Sequence, residues 1–119
     1  MKVRTVLLKE KELENQYNNE QYQDLLQSIN GSHIMNSSNS KKVNDVVGIV
    51  DFAEFIEDEG IVIESTVFDD DVYEKVDRGL VHIIPSLIVN QSEKIVEESH
   101  KLFFGLKSDE IVGETEPIE

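Results

Sequence analysis

The chain has 119 residues, enough for one domain with one core. Its 25 acidic and 11 basic residues leave a net charge of −14. That opposes binding to nucleic acid, where Lys and Arg must neutralise phosphates, and to anionic membrane surfaces. The absence of cysteine excludes disulfides, thiol catalysis and zinc–thiolate sites. No apolar run approaches the roughly 20 residues of a membrane span. The opening stretch MKVRTVLLKEKELE has too short an apolar segment for a signal peptide, so a cytoplasmic protein is expected.

In chain order, Lys2 to Leu8 reads as a strand, and the polar run Lys9 to Asn18 as a connection. Glu20 to Ile29 reads as a helix, capped by Asn18 or Asn19. Its Tyr22, Leu25, Leu26 and Ile29 make one apolar face, and Asn30-Gly31 ends it. Ser32 to Met35 is a short strand. Asn36 to Lys42, NSSNSKK, is a polar loop rich in turn formers.

Val46 to Val89 is the most informative stretch. Val46–Ile56 and Ile61–Phe68 are β-rich runs joined at Glu57-Asp58-Glu59-Gly60, a hairpin pattern. Asp70 or Asp71 is expected to cap the following helix, with Glu74 completing an Asp-x-x-Glu box after Asp71. Val72, Tyr73, Val76 and Leu80 recur at helical spacing, so Val72, Val76 and Leu80 are assigned to the core, and Gly79 is the stop. Leu80 to Asn90 is almost entirely apolar, the pattern of a strand buried on both faces. Gln91 to His100 fits either a Ser92-capped helix or a long hairpin excursion. Lys101 to Leu106 reads as a strand, and Glu110 to Gly113 as a last short one. The expected fold class is α+β: a single domain with a mostly antiparallel small β-barrel or curved sheet and two or three short helices.

No phosphate loop, dinucleotide glycine pattern, HExxH or Gly-x-Ser-x-Gly occurs. His33, His82 and His100 lack a second His or Cys at ligand spacing, and no metal or cofactor is expected. Asp69-Asp70-Asp71 lies ahead of a helix, where capping and dipole compensation account for it.

The ordered series "NNEQYQDLLQSINGSHI", a polar loop, "VVGIVDFAEFIEDEGIVIESTVFDDDVYEKVDRGLV", an apolar strand and a closing "DEIVGETEP" resembles the prohead maturation protease family. These are enzymes of tailed bacteriophages and archaeal tailed viruses, and their barrel is shared with the herpesvirus assembly protease. The resemblance implies that barrel, a serine endopeptidase acting on capsid and scaffold precursors, and a place in the host cytoplasm within the procapsid or virion. It also implies a nucleophile, a base and an orienting acid. Here the family Ser position, counted from Gly79, falls on Pro85, and the family His position falls near Ser38. The candidate catalytic set is therefore Ser86, His33 and Glu110. Ser86 takes the family place only if the strand bulges at Pro85.

Three functions follow as expectations. The first is a degenerate, non-catalytic assembly component of that family that binds capsid or scaffold protein through acidic surface and sheet edges, with self-association left open. The second is an active serine endopeptidase. The third is a small acidic inhibitor or decoy.

Overall fold

The structure, a computed structural model, describes residues 1–10, 19–37, 43–86, 89–90, 95–96, 101–106 and 113–118. The readings made for Lys11–Asn18, Ser38–Lys42, Glu110 and His100 lie outside these residues.

Strand β1 (Lys2–Lys9) opens the fold, followed by helix α1 (Asn19–Ile29) and a short β2 (His33–Met35). The hairpin is β3 (Val46–Ile56) and β4 (Gly60–Val67), and helix α2 (Asp70–Asp77) follows it. β5 (His82–Ser86), β8 (Lys101–Gly105) and β9 (Thr115–Ile118) complete the main sheet. β6 (Val89–Asn90) and β7 (Ile95–Val96) form a small hairpin between β5 and β8. Ile95–Val96 is thus strand, and the rest of the stretch read either as a Ser92-capped helix or as a hairpin excursion lies outside the described residues.

The seven strands lie in the order β5-β8-β2-β3-β4-β1-β9. All neighbours are antiparallel except β2 and β8, which are parallel. The sheet is α+β and mostly antiparallel, and it curls into a nearly closed barrel. Three register shifts help it bend, at Val6/Leu8, Ile34/Met35 and Val50/Phe52. Closure is made by side chains. The N–H of Ile83 on β5 donates to Oγ1 of Thr115 on β9 (2.8 Å), and the N–H of Thr115 donates to Nδ1 of His82 (3.1 Å). Thr5 on β1 shares a hydroxyl hydrogen bond of 2.9 Å with Thr115.

β4 is the central wall. Alternation sends Ile61, Ile63, Ser65 and Val67 inward, against Val3, Leu7, Val50, Ile34, Leu102, Phe104 and Ile83. β4 starts at Gly60, one residue earlier than expected, and Phe68 falls beyond its end, 60% exposed. At Gly60 the backbone has φ +120°, and a Cβ would stand 2.0 Å from the carbonyl oxygen of Leu8. Only glycine fits between the hairpin and β1.

Three expectations need correction. Asp69 caps α2, in extended backbone, with its Oδ1 accepting from the N–H of Val72 at 3.0 Å. Three consecutive aspartates can each cap, and the first one wins by starting the helix earlier. The third helical residue is then Val72, so no box with Glu74 forms, and Glu74 instead pairs with Arg78. Second, Leu80 is 53% exposed, while Val72 and Val76 are buried. Gly79 (φ +72°) turns the chain away. The N–H groups of Gly79 and Leu80 donate to the carbonyls of Val76 and Lys75, the paired bonds of a Schellman stop. Third, the run Leu80–Asn90, read as one strand buried on both faces, holds β5 only from His82 to Ser86, at an edge of the sheet, with Ile83 buried and Ile84 and Pro85 half-buried.

Candidate functional site

β5 pairs with β8 in unbroken register from His82↔Gly105 to Ser86↔Lys101. Pro85 therefore sits in a regular edge strand opposite Leu102, and no bulge moves Ser86 into its place. β8 in turn runs parallel to β2, with Ile34↔Leu102 and Met35↔Phe103. One residue back along both strands, His33 stands beside Lys101. Ser86, Lys101 and His33 thus share one row across three neighbouring strands. Ile34 and Leu102 of the adjacent row are fully buried, and His33 is exposed. Two strand spacings separate Ser86 from His33, about 9.5 Å between backbones.

Two of the three predicted site residues, Ser86 and His33, are therefore brought into one register row, and Glu110 lies outside the described residues. Lys101 was missed by the sequence reading. The strand KLFFG is legible, but the parallel partner that aligns it with His33 is not. His82 is committed elsewhere, buried and bonded to Thr115. Among the described residues no group of His, Asp and Glu has the geometry to hold a metal ion, and no described helix is long and apolar enough to cross a membrane.

A second feature is an open groove of about 540 Å³ on the outer face of β1 and β9. It is lined by Arg4, Val6, Lys9, Glu10, Asp58, Glu59, Gly113, Glu114 and Glu116. Its rim is held firmly. The Arg4 guanidinium spans both carboxylate oxygens of Glu59 at 2.8 Å each. The N–H of Glu10 donates to the carbonyl of Glu59 (3.1 Å), and the N–H of Asp58 donates to the Glu10 carboxylate. Asp58 takes φ +71° in this turn, a conformation Asp tolerates better than most residues. Five carboxylates against two cations leave the groove negative. A third cluster, Lys2, Asp51 and Thr66, decorates the bulge of β3. The hydrogen bond from Lys2 holds the Asp51 carboxyl below its ordinary value, against the opposing effect of burial.

No protein-family model matches the chain, and no curated protein or solved structure is significantly similar to it.

Proposed function

We propose that the chain is a non-catalytic virion-assembly component resembling the prohead maturation proteases, and that it binds basic segments of capsid or scaffold protein within the procapsid. The observation that carries this reading is the negative groove beside β9, whose wall is braced by the Arg4–Glu59 pair. The uninterrupted register at Pro85 supports the non-catalytic half, because the family's nucleophile position carries an imino acid. The test is capture of capsid or scaffold precursor by the native protein and by a Glu114→Lys/Glu116→Lys variant. Binding by the native protein, weakened about tenfold or more in the variant and by added salt, is expected. Equal capture by both sinks the assignment to this groove.

One observation favours the serine endopeptidase as a second reading: the register row that Ser86, Lys101 and His33 share across β5, β8 and β2. Its test is precursor cleavage by the native protein against Ser86→Ala, together with labelling by a serine-directed phosphonate. The non-catalytic reading expects neither cleavage nor label. Cleavage by the native protein that Ser86→Ala abolishes would reverse the order of the two readings.

A further inference from the structure

A strand residue directs its N–H and C=O toward one neighbouring strand, and the next residue directs them toward the other. On β9 the N–H of Thr115 points away from β1, because it reaches His82. Glu116 turns back to β1, opposite Arg4, and the next outward residue is Pro117, which has no N–H. On β5 the N–H of Ile83 points away from β8, because it reaches Thr115. Ile84 turns back to β8, opposite Phe103, and the next outward residue is Pro85. These are the only two prolines in the sequence. Each edge therefore has one outward donor within its described strand, and each donor is taken by a side chain from the other edge. Among the described residues of these two edges only carbonyls are left to offer a further strand, and the two ends are clasped together by Thr115 and His82.

We propose that this clasp is an acid-sensitive latch on the barrel, with the His82 imidazole as its sensor. The inference does not depend on what the groove binds. His82 is 9% exposed, and its Nδ1 accepts from a backbone N–H, so in the closed barrel that nitrogen carries no proton. When an imidazole takes up a second proton, both of its nitrogens are donors. Nδ1–H would face the N–H of Thr115, and the bond is lost whichever way the ring turns. β9 then keeps its ladder to β1, from Lys2↔Ile118 to Thr5↔Thr115, and is held to β5 by the Ile83–Thr115 bond alone, so the clasp loosens.

The charged groups on the packed elements do not replace the bond. β8 contributes Lys101, at the far end of the pairing, and β1 contributes Lys2, Arg4 and Lys9. Lys2 and Arg4 are engaged by Asp51 and Glu59. Glu114 and Glu116 flank Thr115 and are exposed, and α2, which packs on β9, carries Asp70, Asp71, Glu74, Lys75, Asp77 and Arg78. Among the described residues none of these is hydrogen-bonded to the imidazole.

The experiment is amide exchange of Ile83 and Thr115 at about pH 7.5 and about pH 5, corrected for intrinsic exchange chemistry. Protection of these two amides is expected to fall about tenfold or more on acidification, while Ile63 at the barrel centre stays protected. In His82→Gln, whose amide oxygen accepts but does not titrate, the fall is expected to vanish. Unchanged protection in the native protein, or the same fall in His82→Gln, overturns the proposal. A nitrogen-15 spectrum of the native imidazole gives an answer that needs no variant. A hydrogen on Nε2 and none on Nδ1 at neutral pH is required, and a protonated Nδ1 there overturns it.

Discussion

Ser65 sits at the centre of β4, opposite Val3 on one side and Val50 on the other, and is fully buried. Its hydroxyl has no hydrogen-bond partner among the described residues. A buried, unsatisfied hydroxyl costs about 1–3 kcal/mol relative to an apolar atom in its place. Ser65→Ala is therefore expected to raise stability by about 1 kcal/mol, read as a higher denaturation midpoint at unchanged slope. A loss of stability would mean that the hydroxyl has a partner after all. Asp51 gives the opposite sign of polar contribution. Its carboxyl is lowered chiefly by the Lys2 hydrogen bond, so the charged form is favoured in the folded state. The stabilisation is fully present above the unfolded pKa and disappears as pH falls through the lowered folded value. With the Lys2 side chain 57% and the Asp51 side chain 33% exposed, solvent screening keeps the contribution below about 1 kcal/mol. Denaturation of the native protein and of Asp51→Asn is expected to show a small difference at neutral pH that closes on strong acidification.

The elements differ in how far their sequences fix them. β3 occupies Val46–Ile56 as its β-rich run predicts, and α1 buries Leu25 and Ile29 as its spacing predicts. α2 presents Val72 and Val76 to the core. Val76→Asp is expected to cost about 3 kcal/mol or more, because an unpaired carboxylate would enter that face. A change below about 0.5 kcal/mol in a denaturation curve would place Val76 on the surface. The misreadings have local causes. Periodicity carries Leu80 onto the apolar face of α2, yet the stop at Gly79 ends the helix first. An apolar run such as Leu80–Asn90 does not say how much of it is strand or whether both faces are covered, and only Pro85 hinted at an edge. The row of Ser86, Lys101 and His33 was illegible for a different reason. It depends on a parallel pairing between segments distant in sequence, and no local pattern encodes such a partner. The groove is likewise assembled from β1, the β3–β4 turn and β9, so its carboxylates read in sequence only as scattered acid.

Over the whole molecule, the net charge of −14 and the side-chain closure act together. Like charge keeps copies apart at long range, and edges without free donors deny them a template at short range. The same closure bears on the rates at which the protein forms and comes apart. The hydroxyls of Thr5 and Thr115 meet across 110 positions of sequence. Contacts of such separation carry a large loop-closure cost and are made late, after the β3–β4 hairpin and its neighbours have condensed. Interactions absent from the transition state act on the unfolding limb alone. Thr115→Val, which leaves the Ile83 N–H without its acceptor, is therefore expected to accelerate unfolding about tenfold or more and to leave the folding rate unchanged. Stopped-flow measurement of both limbs decides it, since a slowed folding limb would place the clasp in the nucleus. On this account the clasp sets the lifetime of the native barrel more than the speed at which it is reached.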